Sequence, residues 1–155
     1  MKVLVFSDSH GRMIEMLAAV ETELPDLVLH LGDHLEDAQE LHRMCPEIPV
    51  IGVLGNNDWT DGKNEEIVTV EGVRIFMTHG HAYRVRSTTS RMLLETKRRG
   101  CQIGLFGHTH VPFEQRYGHT LIANPGSISM PYRGEPSYLR LTIENKQYSY
   151  EFVEG

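Results

Sequence analysis

The chain has 155 residues, 40% hydrophobic and 23% charged, with a formal net charge of −6; that length suits one domain burying roughly 70% of its unfolded surface, and the balance excludes a disordered or fibrous chain. The acidic excess argues against a protein whose main task is gripping duplex nucleic acid, and no run approaches the roughly 18 apolar residues of a membrane span. Cys45 and Cys101 are the only cysteines, which excludes a disulfide framework and, with no basic, apolar leader in front of the first strand, sets the reducing cytoplasm as the expected location.

Residues 2–6 read as a buried strand. From about Arg12 a helix follows, with Met13, Met16, Leu17, Val20 and Leu24 at helical spacing and Pro25 closing it. A strand over residues 27–31 precedes a helix over 35–45, in which Leu35, Ala38, Leu41 and Cys45 share a face before Pro46, and residues 50–54 make a third strand. Such strand-helix-strand repeats predict right-handed crossovers and a largely parallel sheet flanked by helices.

After Asp58 the pattern changes. Residues 59–64 form a polar loop, and the runs 66–70 and 73–77, joined by Glu71-Gly72, suit a tight hairpin. Residues 88–99 read as a helix ended by Gly100; its Lys97-Arg98-Arg99 reads as last-turn cations ahead of a nucleic-acid patch. Strands over 101–106, 112–117 and 120–124, then alternating strands over 138–144 and 147–153, make the second half antiparallel or mixed. Leu139, Leu141 and Ile143 share one side, and Tyr148, Tyr150 and Phe152 alternate on a face of the last strand, as sheet packing first and an oligomer contact second. Two sheets packed face to face with helices outside account for both halves, within a single domain over residues 1–155.

Five apolar runs end in carboxylate, imidazole or amide side chains. Asp8-Ser9-His10 follows the first, Gly32-Asp33 the second, Gly55-Asn56-Asn57-Asp58 the third, Thr78-His79-Gly80-His81 the run at 73–77, and Gly107-His108-Thr109-His110 the run at 101–106. Strands must stop, and Asp, Asn and Gly stop them. Five endings that nearly all carry a metal-type ligand exceed that explanation, because groups at strand tips of an α/β sheet share one crevice. No serine or cysteine stands in a G-x-S-x-G setting.

The ordered set Asp-x-His, Gly-Asp, Gly-Asn-x-Asp, a lone His and Gly-His-x-His resembles the calcineurin-like metallophosphoesterases, and the Asn124-Pro125-Gly126-Ser127 stretch resembles their small bacterial and archaeal phosphodiesterase branch. The resemblance implies a four-layer αββα sandwich. It also implies two divalent metal ions: Asp8, His10 and His110 hold one, Asn56, His79 and His108 the other, and Asp33 bridges them. Manganese is the first expectation, with iron, nickel or zinc as alternatives, since mixed nitrogen and oxygen shells discriminate poorly among them. The implied activity is hydrolysis of a small phosphodiester by in-line attack of a metal-bound hydroxide, with a phosphomonoesterase of the same fold, an interaction scaffold like the retromer subunit that shares it, and a nuclease of the DNA-processing branch as rivals. Small relatives are often dimers or tetramers, which leaves the assembly open with a homodimer or homotetramer among the alternatives.

One position departs from the pattern. Larger phosphatases of the family carry a leaving-group His where this chain has Asn57, and an amide cannot act as a general acid. That favours phosphodiesters with Asn57 as a substrate-binding group, and leaves His81 and His34 as the nearest proton donors in sequence. Asp58 either assists proton transfer or braces the loop carrying Asn56. Arg12 is the candidate for bidentate pairing with a substrate phosphate against a solvated first-turn role, and Trp59 the candidate for a pocket wall against simple packing. His42 and His119 are expected to be exposed and idle. The loops at 59–64 and 130–137 are expected to rim the pocket.

Overall fold

In the computed structural model, which describes residues 1–129 and 134–154, the first apolar run becomes β1 (Lys2–Phe6), buried on both faces. Val3 and Val5 turn to one side and Leu4 and Phe6 to the other, which is why the run lacks polar alternation. The chain continues through α1 (Met13–Glu23), β2 (Leu27–His30), α2 (Leu35–Met44) and β3 (Val50–Gly52). Then come β4 (Glu65–Val70), β5 (Val73–Thr78), α3 (Ser90–Arg98), β6 (Ile103–Leu105), β7 (Phe113–Tyr117), β8 (Thr120–Asn124), β9 (Ser137–Glu144) and β10 (Gln147–Glu154).

Among the described residues the strands form two five-stranded sheets, in the orders β10-β9-β1-β2-β3 and β4-β5-β6-β8-β7. Within them β1, β2 and β3 run parallel, as do β5, β6 and β8. The sheets face one another across a core of Val3, Val5, Leu29, Ile75, Ile103, Leu139 and their neighbours. Met16, Val20 and Leu41 from α1 and α2 cover the outer face of the first sheet, and Met92 of α3 covers the second. This is the four-layer αββα sandwich. No helix among the described residues is long and apolar enough to cross a membrane.

The sheets do not divide with the halves of the chain. The last two strands return to the first sheet, where β9 pairs antiparallel with β1 and β10 forms the edge. Tyr148, Tyr150 and Phe152 turn inward against the central core, in keeping with sheet packing. The strands expected over 50–54 and 101–106 stop at Gly52 and Leu105, because the following residues leave the ladders to build loops. Leu24 is no part of the apolar face of α1: it caps the helix at φ 49° and is 75% exposed. The hairpin turn is as expected, with Glu71 and Gly72 both at positive φ. Gly100 and Cys101 close α3 by donating to Lys97 O and Thr96 O. Arg98 and Arg99 pair with Glu95 of α3, and Arg99 also reaches Glu65 of β4, so two of the three cations in that cluster are held by ion pairs.

Candidate metal centre

The parallel strands of both sheets point their carboxyl ends at one place, so the loops after β1, β2, β3, β5 and β6 meet there. The backbone there is strained. Asp8, His10, Asp33, His108 and His110 all have left-handed φ, between 48° and 72°, a conformation costing an L-residue about 1–2 kcal/mol. Such strain persists where surrounding contacts over-determine it, and it clusters at functional sites.

Asp8, His10, Asp33 and His110 bring potential ligand atoms within 4.8 Å of one another. Asp8 Oδ2 is satisfied by the Ser7 hydroxyl at 2.6 Å and the His108 N–H at 3.1 Å. Asp8 Oδ1 is buried without a hydrogen bond. Three imidazole nitrogens surround it: His110 Nε2 at 3.2 Å, which lacks the alignment of a full bond, His79 Nε2 at 3.8 Å and His10 Nε2 at 3.9 Å. Burial pushes the Asp8 carboxyl up, but the adjacent His110 imidazole, the charge of His79 and the Ser7 hydroxyl outweigh it and hold it below the usual carboxylate range. His10 Nε2 and His110 Nε2 lie 3.4 Å apart. Donors about 2.1 Å from a shared cation stand roughly 3.0–3.4 Å from each other; the Asp8–His110 and His10–His110 separations fall in that range, and a buried carboxylate oxygen without a hydrogen bond beside them suits a divalent cation.

A second group adjoins the first. His79 Nε2 is 3.5 Å from Asp33 Oδ1 and 3.2 Å from His108 Nδ1, while its Nδ1 donates to Leu31 O at 2.8 Å. That last bond fixes the His79 tautomer and leaves Nε2 with a lone pair directed at the site. Burial, followed by the charges of His79 and Arg86, pushes His108 down to about 4, so its imidazole is neutral at neutral pH. Asn56 is exposed and lines the same pocket of about 200 Å³ with His10, Asp33, Asn57, Arg86, His108 and His110.

Glycines and amides hold the loops in place. A side chain on Gly107 would meet Ser7 Oγ at 1.9 Å, and one on Gly55 would meet Asp33 Oδ1 at 2.2 Å. Asn57 gives its backbone N–H to Asp33 Oδ1 at 3.0 Å and its amide to Oδ2 at 2.8 Å. Asn124 donates to Gly107 O and Thr109 Oγ1, and the Ser127 hydroxyl donates to Asp8 O. The Asn124–Ser127 stretch therefore ties the first and last site loops together, a role its sequence did not disclose.

Other expected residues fall elsewhere. The Asp58 carboxylate accepts four backbone N–H groups, from Asp33, His34, Leu35 and Gly55, which favours bracing over proton transfer. His81 is exposed beside His79 and His108, with ring centroids at 5.5 and 6.2 Å, and burial followed by the charge of His79 lowers its pKa. The His34 ring is turned to Asp37 at 3.0 Å. Arg12 is exposed directly ahead of α1. Trp59 is 94% exposed, so it neither packs nor walls the pocket. His42 is exposed but bonded to Ile48 O, and His119 is exposed. Of the 130–137 loop, residues 130–133 lie outside the described residues. Arg86 is the lining residue missed from sequence: it stands on no motif and reaches His108 only in the fold.

The family model of the calcineurin-like phosphoesterase superfamily domain matches residues 1–146. The chain is 33% identical to the probable metallophosphoesterase YsnB of Bacillus subtilis, over 99% of this chain and 91% of that protein. It is 27% identical to a phosphodiesterase of Methanocaldococcus jannaschii, over 96% of each. Among solved structures, a predicted phosphoesterase of Streptococcus pneumoniae superposes with a TM-score of 0.83 at 27% identity, covering 99% of this chain and 88% of that one. Zinc-complexed Vps29 of Entamoeba histolytica superposes at 0.82 over 99% of each chain, and at 22% identity it shares the fold alone. The ordered motifs at the strand tips, the αββα layers and these matches agree: the chain belongs to the calcineurin-like phosphoesterase superfamily.

Proposed function

We propose that the protein is a dinuclear metal-dependent phosphodiesterase acting on small phosphodiesters. The observation that carries this reading is Asp8 Oδ1, a buried carboxylate oxygen without a hydrogen bond that faces three imidazole nitrogens, two of them from His10 and His110, which line the pocket with Asp33. Asp8, His10 and His110 would hold one cation, Asn56, His79 and His108 the other, with Asp33 shared. When bound, the two ions, manganese first among the candidates, would supply the Lewis acidity that grips phosphate oxygens and acidifies the attacking water for in-line displacement.

The protein's own residues do the rest. Asp8 and Asp33 provide negative charge against cations, and neutral imidazoles add firm ligands without further charge. The Asn57 amide fixes the Asp33 carboxylate and stands at the pocket wall, where it can donate to a phosphate oxygen but cannot give up a proton. Burial and the charge of His79 lower the His81 pKa, so that expected proton donor is disfavoured in its charged form. Esters with good leaving groups suit such a site, and relatives include a named phosphodiesterase.

The scaffold reading draws on the likeness to Vps29. Turnover of a model phosphodiester and a phosphomonoester, each with manganese and then with chelator, separates the two. Hydrolysis lost on chelation and in Asp33→Ala is the expected result. Hydrolysis indifferent to both would end the metal-hydrolase reading, and a chain that binds manganese but turns over neither ester would point to the scaffold.

A further inference from the structure

The hydrogen bonds around His108 form a chain whose proton positions are set by its two ends. Arg86 Nε, 3.0 Å from His108 Nε2, can only donate, and Arg86 Nη2 also donates to the His108 carbonyl at 3.3 Å. Leu31 O, 2.8 Å from His79 Nδ1, can only accept. His108 Nε2 therefore holds a lone pair and His79 Nδ1 a proton. Between neutral rings, the one arrangement left puts a proton on His108 Nδ1, donated to His79 Nε2 at 3.2 Å.

That proton sits on the nitrogen turned towards His79, the nitrogen that would have to bind a second cation. A ligating imidazole nitrogen carries no proton. Within a neutral ring the proton can leave Nδ1 only for Nε2, where the Arg86 N–H already points at 3.0 Å. Two N–H groups cannot share that line. From this conflict, and resting on the two-cation reading above, we infer that Arg86 and the second cation compete for His108: the cation enters as the guanidinium lets go of Nε2.

The released guanidinium stays at the wall of the same pocket, beside His10, Asn56 and Asn57. Its planar fork matches the oxygens of a phosphate. Arg86 is thus a positioning residue for His108 before loading and a phosphate contact after it, so cation binding readies the site for substrate.

Calorimetric titration of manganese into the metal-free full chain tests this, on the wild type, Arg86→Met and Arg86→Gln, alongside nitrogen-15 spectra of the histidine rings. Arg86 is exposed, so neither variant disturbs the core. Expected are two binding events in the wild type, with the weaker tightened about tenfold in Arg86→Met, the scale on which outer-shell partners alter metal affinity. Metal-free wild type should show His108 protonated at Nδ1, with the population moving towards Nε2–H in both variants. A weaker event left unchanged or loosened, or a wild-type ring already protonated at Nε2, overturns the competition while the two-cation reading stands. One event in all three proteins sinks that reading and the competition with it. One event in the wild type and two in Arg86→Met supports both.

Discussion

The Asp58 carboxylate takes the backbone N–H of Asp33 at 2.9 Å, and the Asp33 carboxylate in return takes the N–H of Asn57 at 3.0 Å. This exchange locks the loop after β2 to the loop after β3. Asp58 also caps the first turn of α2 through His34 and Leu35, where a negative side chain satisfies orphan amides and complements the helix dipole.

Asp58→Ala should therefore act as a structural loss that reaches the site. Charge-assisted bonds to amides contribute about 1.5–3 kcal/mol each, and removal of the shared acceptor should cost about 3 kcal/mol in denaturant unfolding. Manganese affinity should fall by about 10- to 100-fold as Asp33 loses its anchor. If Asp58→Ala lost turnover while keeping wild-type stability and metal affinity, the side chain would be acting in the chemistry and the bracing account would fail.

Gly107 is held to a hydrogen at Cα by its neighbours. An added methyl would lie 1.9 Å from Ser7 Oγ and 2.9 Å from Asp8 Oδ2, and the buried Asp8 environment has no room to yield. Gly107→Ala should destabilise by about 1–3 kcal/mol through overpacking and displace Asp8, lowering metal affinity. Gly118→Ala, in an open turn with no atom within 4 Å of the added carbon but at φ 66°, costs about 1–2 kcal/mol in backbone strain away from the site and offers the comparison. Equal metal affinity in both variants would mean that the Gly107 contact does not set the Asp8 position.

Much of this could be read before any fold was known, because chemistry-bearing residues sit at the ends of apolar runs and a parallel sheet gathers such ends. Local pattern also gave the Glu71-Gly72 hairpin and the Gly100 cap, since both depend on φ preferences of one or two residues. It did not give the return of β9 and β10 to the first sheet. Alternation specifies that a strand has a buried face, and says nothing about which distant strand it joins. Leu24 keeps its place in a helical pattern that the backbone abandons at a left-handed cap. Trp59 invites a packing or pocket role by its apolar bulk, yet its loop is held by Asp58 and needs no aromatic anchor. Arg86 touches His108 across 22 positions, a contact that only tertiary structure creates.

His30 gives a pH dependence from a residue outside the proposed ligand set. Its Nδ1 accepts from Gly32 N–H at 3.1 Å, so the neutral ring donates through Nε2 to Ser9 Oγ at 2.9 Å. Complete burial pushes its pKa down to about 4 from 6.5. The unfolded chain therefore takes up the proton first as pH falls, and stability drops from about pH 6.5 towards pH 4. The loss is at most about 3 kcal/mol, because each pH unit crossed in that window costs about 1.4 kcal/mol. Urea unfolding at pH 7.5 and 5.0 should show this loss in the wild type and a smaller one in His30→Gln. Identical losses would assign the dependence to other groups.

Asn57 tests the choice of substrate. Its exposed amide stands at the pocket wall and spends one N–H on Asp33 Oδ2 at 2.8 Å, so it can orient but never protonate. A histidine there would bring a titrating group to the same wall, and general acids are typically worth 10²–10⁴-fold where the leaving group needs a proton. Asn57→His should raise turnover of a poorly activated phosphomonoester by about tenfold or more, with little change for an activated diester whose leaving group departs unaided. Asn57→Ala removes the Asp33 bond without supplying an acid and should depress both. The informative quantity is the ratio of monoester to diester rates at matched manganese content: a ratio in Asn57→His no higher than in Asn57→Ala would show that a missing acid is not what sets the preference.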